Sequence, residues 1–247
     1  PLVWLSIGSF LIDNPGNQFS TTTGKIENIT FNNGSAGSVV SLFINNSASI
    51  YTSNITINRS YITSAIYLSY NPSNIVISQS FIGSYCSLDA TNVIFSNNIV
   101  GYGITMSGYS SSAIITNNVF NYIGRNEQYH GTANIYNAVF QNNISAKGGT
   151  YNFFNSLPTY NMAPDASFPS GNNNILNANM ANVFVNSTGS VDKDFQLKTG
   201  SPAIASGYGG IDMGAFGGST AYKLALQPAI PAITNMSTPS STGGNTI

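Results

Sequence analysis

Charge is what this sequence has least of. Asp, Glu, Lys and Arg make up 6% of its 247 residues, seven cations against eight anions, with one histidine, where an average domain carries about a quarter. So little positive charge leaves no field to neutralise phosphates and no polybasic run for anionic lipid, and nucleic acid is not an expected partner. Cys86 is the single cysteine, so no disulfide closes within the chain and the redox compartment is not encoded; it reads as a small buried hydrophobe. Apolar runs are short. None approaches the roughly 18 to 20 residues of a membrane-spanning helix, and the opening PLVWLSIGSFLID lacks the cationic flank and cleavage site of a signal peptide. Beginning at Pro1 without Met, the chain is expected to be a processed or truncated form.

What stands in for charge is Asn, Ser, Thr, Gly and Tyr. Hydrophobic residues still reach 42%, enough for a sizeable core. Eight N-x-S/T sequons begin at Asn28, Asn33, Asn45, Asn54, Asn58, Asn143, Asn186 and Asn235. With 34 Asn and 54 Ser or Thr in the chain, chance gives about seven. Composition accounts for the count, and the eight asparagines are candidate glycosylation sites and no more.

The organising signal is an internal repeat. One register aligns six segments starting at Asn28, Asn54, Asn74, Asn92, Ser112 and Asn137, spaced by 26, 20, 18, 20 and 25 residues. One and three residues after each start sit Ile29/Phe31, Ile55/Ile57, Ile75/Ile77, Val93/Phe95, Ala113/Ile115 and Ala138/Phe140. That alternation turns both side chains to one face of a strand. Seven residues on come Tyr61, Phe81, Ile99, Val119 and Ile144, expected as a second inward ladder; at twelve and fourteen come Val40/Leu42, Ile66/Leu68, Cys86/Leu88 and Ile104/Met106, expected as a third. Between the first two strands, at five and six, lie pairs such as Asn97/Asn98, Asn117/Asn118 and Asn142/Asn143. Asn tolerates the left-handed backbone of a tight turn, and stacked turns let amides bond as a ladder.

These coils cannot bury their apolar faces singly, so the pattern predicts an all-β solenoid: a single-stranded right-handed parallel β-helix with coils of about 18–26 residues. A left-handed helix expects a strict six-residue repeat, which this spacing breaks. The expected organisation is an N-terminal strand or cap over residues 1–27, the helix over 28–218 and an extended Ser/Thr/Gly-rich segment over 219–247. The coil pattern resembles the pectate-lyase-like right-handed β-helix superfamily. The stretch DKDFQLKTGSPAIASGYGGIDMGAFGGSTAYKLALQPAIPAI, residues 192–233, is similar to the closing segment of secreted bacterial β-helix proteins, especially Bacteroidota surface proteins. The resemblance implies a secreted, extracellular or cell-surface protein in which a D-F-x-L strand, an S-P-A-I turn and a D-x-G-A-F-G-G element finish the last coils.

Chemistry is thinly represented. The superfamily's lyases hold Ca²⁺ with carboxylates and use Arg or Lys as base, and its hydrolases use closely placed Asp residues. Here only Asp192 and Asp194 lie close in sequence, inside the closing motif, and read as a solvated turn. No G-x-S-x-G elbow, Walker loop or metal-spaced Cys/His set occurs, so no catalytic residue, metal or cofactor is assigned. The densest chemical run is Arg125, Glu127, Tyr129 and His130, where a third strand is due; it is the candidate ligand-binding loop.

Two features suggest association. Outward positions two residues after each start are Thr30, Thr56, Val76, Ile94, Ile114 and Val139, a dry stripe of the kind that marks partners when exposed. The apolar, uncharged ends, with Val3, Trp4, Leu5, Ile7 and Phe10 at one and Leu224, Leu226, Ile230 and Ile233 at the other, are candidates for strand pairing with a neighbour. The expected function is a non-enzymatic extracellular structural protein that self-associates into a filament, stalk or matrix. The alternative is a polysaccharide-binding or polysaccharide-cleaving β-helix protein with glycans as partners. An ice-binding solenoid is the weakest reading, because only two of the six stripe positions are Thr.

Overall fold

The computed structural model describes residues 10–12, 24–27, 30–32, 35–36, 41–45, 50–62, 65–108, 110–121, 132–187 and 191–224, with side chains from Ser53 onward. The chain is a parallel β-helix. Three long sheets build the stack, and every strand pairing within them is parallel.

The first sheet begins with Gly24–Glu27 and Thr30–Asn32, both paired to Ile50–Asn58, and continues through Ser73–Ser78, Thr91–Ser96, Ala113–Thr116 and Ala138–Gln141 to Leu157–Thr159. The second contains only two-residue strands, from Ser35–Ala36 through Tyr61–Ile62, Phe81–Ile82, Ile99–Val100 and Val119–Phe120 to Ile144–Ser145. The third stacks Phe10–Ile12, Ser41–Asn45, Ala65–Ser69, Tyr85–Leu88 and Gly103–Thr105. A separate pair, Thr132–Tyr136 on Thr150–Phe154, follows in the stack, joined by the Met106 N–H donating to Asn134 O at 3.0 Å.

The register is the one that the alternation dictates. Ile57, Ile77, Phe95, Ile115 and Phe140 are successive cross-strand partners, and none has accessible surface. From Asn54 on, two left-handed corners bracket the stretch of each coil that carries the inward pair. Asn54, Asn74, Asn92, Ser112, Asn137 and Asn155 open it with φ between 48° and 56°, and Arg59, Gln79, Asn97, Asn117, Asn142 and Tyr160 close it with φ between 48° and 58°. Asn bears that backbone at the least cost among residues with a Cβ, which is why the sequence spends so many asparagines there.

Beside the closing corner runs a ladder inside the stack. Backbone N–H groups of Ser60, Ser80, Asn98, Asn118, Asn143 and Asn161 donate in turn to the side-chain oxygen of Ser80, Asn98, Asn118, Asn143, Asn161 and Asn174, at 2.9–3.1 Å. Each amide nitrogen also reaches a first-sheet carbonyl below it: Asn98 to Ile77 O, Asn118 to Phe95 O and Asn143 to Ile115 O, all at 2.9 Å. The tight corner turns one donor and one acceptor per coil into a water-free interior, and the side-chain amide satisfies both.

Three expectations are corrected. Tyr61, Phe81, Ile99, Val119 and Ile144 stack in register, but they face outward; their neighbours Ile62, Ile82, Val100 and Phe120 fill the interior with the first-sheet column. In the earliest coil the partners of Ile66 and Leu68 are Leu42 and Ile44, not Val40 and Leu42, because four residues separate Ala36 from Ser41 in sequence and only two separate Ile62 from Ala65. The closing motif adds no last coil. Asp192–Phe195 is a 3-10 turn, and residues 203–222 run back over the outside of coils already built.

This return segment makes a second core. Met180, Val183, Phe184, Phe195, Ala203, Met213, Ala215 and Tyr222 bury Phe81, Ile99, Val119 and Ile144 against the outer side of the second sheet. It is hooked down by the corner side chains. Asn142 Oδ1 accepts from the Tyr208 N–H at 2.8 Å, Asn117 Nδ2 donates to Asp212 O at 3.2 Å, and Gln79 Nε2 donates to Thr220 O at 2.9 Å. Asn97 Nδ2 donates to Ala215 O and Gly217 O at 3.0 and 2.8 Å, while its Oδ1 accepts from Thr220 Oγ1 at 3.0 Å. Gly217 is required there, since a Cβ would stand 1.9 Å from Asp212 O. The C-terminal end of the stack is closed by the chain itself, with Phe168 buried against Phe140, Tyr151 and Phe153.

Candidate functional site

The outer face of the first sheet is built from three stacked columns. The opening corner supplies Asn54, Asn74, Asn92, Ser112, Asn137 and Asn155. Two residues on, the strands point Thr56, Val76, Ile94, Ile114, Val139 and Leu157 outward in continuous register. Two further on come Asn58, Ser78, Ser96, Thr116, Gln141 and Thr159.

The polar columns bond along themselves. Asn92 Nδ2 donates to Asn74 Oδ1 and Asn74 Nδ2 to Asn54 Oδ1, both at 3.1 Å; on the other side Asn58 Nδ2 reaches Ser78 Oγ at 3.2 Å and Gln141 Nε2 reaches Thr159 Oγ1 at 2.9 Å. Thr56 and Val76 are half-buried; Ile94, Ile114, Val139 and Leu157 are 41%, 43%, 53% and 63% exposed. Between the Asn column and the stripe lies a shallow groove of about 550 Å³, edged by Asn54, Asn74, Asn92 and Ser112 on one side and by Thr56, Val76, Ile94 and Ile114 on the other. It is uncharged and repeats once per coil, so it suits neutral hydrogen-bonding and aliphatic contact.

Leu157 was not legible as a stripe residue. Its strand has Ser156 where an apolar residue is due and Pro158 in register with Phe140. Proline is tolerated because this is the last strand of the sheet.

The remaining sequence-assigned residues fall in several places. Arg125, Glu127, Tyr129 and His130 lie outside the described residues, as do Val3, Trp4, Leu5, Ile7, Leu226, Ile230 and Ile233. Phe10 opens a strand in register with Leu42, and Thr30 is the partner of Thr56. Leu224 packs against the return-segment core of its own chain. Among the sequons, Asn28, Asn33 and Asn235 lie outside the described residues, Asn45 ends a third-sheet strand, Asn54 and Asn186 are exposed and Asn58 is half-buried. Asn143 is corrected: it is a rung of the interior ladder with no accessible surface, its Oδ1 accepting from the Asn118 N–H and its Nδ2 donating to Ile115 O, so the folded coil has no room for a glycan.

Titratable groups are held structurally. Asp192 Oδ1 accepts from the Lys193 N–H at 2.8 Å and its Oδ2 from Tyr222 OH at 3.0 Å, and Asp194 Oδ2 accepts from the Val191 N–H at 3.2 Å. No grouping of His, Cys, Asp and Glu able to hold a metal occurs among the described residues. Cys86 is fully buried, and burial pushes its thiol well above the ordinary range. Burial, reinforced by the Tyr67 hydroxyl, does the same to Tyr85. None of the described helices is long and apolar enough to cross a membrane. No family model, curated protein or solved structure matches the chain.

Proposed function

We propose that the chain is a non-enzymatic extracellular structural protein, a rigid solenoid of the pectate-lyase-like kind displayed at a cell surface, that works by associating with copies of itself. The observation that supports this reading most directly is the outer face of the first sheet, where an exposed aliphatic stripe runs in register between neutral, self-bonding polar columns. Rows of that kind are uncommon on soluble monomers and mark contact surfaces. Lateral association is favoured over head-to-tail stacking, because the C-terminal end is closed by Phe168 and its neighbours. Among the described sequons, exposed Asn186, which is in none of the three columns of this face, is the candidate compatible with both association and a glycan.

A second reading, a polysaccharide-binding or polysaccharide-cleaving protein, draws on the groove of about 550 Å³ edged by amides and on Arg125, Glu127, Tyr129 and His130. One experiment separates the two. Purified protein is imaged by electron microscopy and incubated with polygalacturonate and glycosaminoglycans in the presence of Ca²⁺. The first reading expects ordered assemblies without depolymerisation. Turnover that disappears in Arg125→Ala or Glu127→Ala, with the circular dichroism unchanged, overturns it in favour of the second.

A further inference from the structure

We propose that the outer face of the first sheet is where a second copy of this chain docks, stripe against stripe, as a reversible two-fold dimer. The inference rests on the scaffold reading above and gives that contact its symmetry, its area and its strength.

The first argument is charge. A two-fold contact sets residue i against j and j against i, and only a residue on the axis against its own copy, so a charge on the face needs an opposite charge at the facing position or stands uncompensated. None of the three columns contains one; every position is Asn, Ser, Thr, Gln or aliphatic. Amides and hydroxyls carry both donor and acceptor. In either orientation of the second copy, a polar column therefore meets a column that it can bond, and the stripe meets itself. A charged partner would find no counter-charge on this face.

The second argument is continuity. Exposure rises along the stripe from Ile94 to Leu157 without a polar interruption. Single exposed aliphatic residues are ordinary, whereas an in-register row is a surface. The third is area. Five steps of about 4.8 Å separate the rungs at Thr56 and Leu157, and about 13 Å separates the outer columns. With side-chain margins the face offers roughly 500 Å² per copy, against about 800 Å² in a standard interface. The dimer is therefore reversible and forms in the micromolar to millimolar range. A glycan on Asn54 or Asn58 would stand in this contact, so glycosylation and docking there exclude each other.

The test is sedimentation velocity of the full chain across that range, on wild type, Ile114→Lys on the face and Thr105→Lys on the third sheet. Wild type and Thr105→Lys should dimerise alike, while Ile114→Lys, whose charge meets a like charge or the stripe, should weaken association about tenfold or more with its melting temperature retained. In parallel, Ile94→Cys and Ile114→Cys proteins, alone and mixed, are treated with a short bis-maleimide; buried Cys86 does not compete. Crosslinked dimer, in the single or the mixed sample, supports the contact. Association that ignores Ile114→Lys sinks the docking face and leaves the scaffold reading standing. A monomer at every concentration sinks both. An Ile94→Cys thiol shielded from maleimide in dilute monomer means that the chain covers its own stripe, and this also overturns the inference.

Discussion

Replacing Asn118 by the isosteric Asp is the sharpest probe of what holds the coils in register, because it changes hydrogen-bonding polarity and charge while leaving volume alone. Asn118 Nδ2 donates to Phe95 O at 2.9 Å, Asn143 Oδ1 at 3.0 Å and Thr116 O at 3.1 Å, and its Oδ1 accepts from the Asn98 N–H at 2.9 Å. Asp keeps the accepting side and loses the donating one. Each buried acceptor left without a donor costs about 1–3 kcal/mol, and an unpaired buried carboxylate adds to that, so the neutral-pH cost should be about 4 kcal/mol or more. The sign with pH follows from burial among carbonyls, which disfavours the charged form and raises the folded-state pKa of the introduced carboxyl. The folded state then holds its proton more tightly than the unfolded one. The deficit is smallest below the unfolded value of about 3.9 and grows as pH rises from there through the folded pKa. Protonated, the side chain regains one donor, and the cost should fall to about 1–3 kcal/mol. The assay is guanidinium unfolding followed by far-ultraviolet circular dichroism at pH 4 and pH 7. Midpoints are the quantity compared, since stacked repeats need not unfold in one step. Asn118→Ala is the control, with a similar cost at both values. An Asn118→Asp deficit below about 1 kcal/mol at pH 7, or one independent of pH, would refute the ladder as a stabilising device.

Three further outcomes are expected. Ile77→Asp places an unpaired charge in a column without accessible surface and should lower stability by more than about 4 kcal/mol or prevent folding, read by expression and thermal melting; near-native stability would mean that the column is not a core. Asn97→Ala removes three hooks on the return segment, so limited proteolysis should cut within residues 203–224 while amides of the first sheet keep their hydrogen-exchange protection; simultaneous loss of both would show that the segment is integral to the stack. Cys86, buried and held as the neutral thiol, should react with a thiol reagent only after denaturant is added, and prompt labelling in native buffer would contradict its place in the core.

The first sheet was legible in the sequence because its signal is redundant. Period-two alternation and a common start recur from Asn54 to Asn137, Asn holds the closing corner at Asn97, Asn117 and Asn142, and each coil checks the last. The second sheet was legible in register but not in facing. Its strands are two residues long, and both residues are apolar at Phe81–Ile82, Ile99–Val100 and Val119–Phe120, so no alternation distinguishes inside from outside. What covers the outer residue comes from far along the chain, 66 positions away in the Asn142 to Tyr208 contact and 120 in the Asn97 to Gly217 contact, and contacts at that separation leave no local pattern. The opening corner has no sequence signal separate from the common start, because the corner residue is itself the first residue of the repeat; the positive φ of Asn54 and its successors gives them a reason of their own.

The scarcity of charge follows from the architecture. A parallel stack repeats each position at about 4.8 Å, and two like charges at that distance repel by about 1 kcal/mol even in water, a cost renewed at every added coil. Amide columns have the opposite property, since each rung donates to one neighbour and accepts from the other, as Asn74 does between Asn92 and Asn54. Where the chain stacks, charges are therefore isolated: Arg59 Nε bonds Gln79 Oε1 at 2.8 Å, and Asp89 Oδ1 accepts from Ser107 Oγ at 2.5 Å. Where stacking gives way to irregular chain, the constraint lapses. Residues 50–160 contain five Asp, Glu, Lys or Arg, whereas the much shorter stretch 161–224 contains seven, from Asp165 to Lys223. The neutrality that makes the first-sheet face self-complementary is thus required first by the stack beneath it, and a surface suited to a second copy arises from the same rule that lets one coil sit on the next.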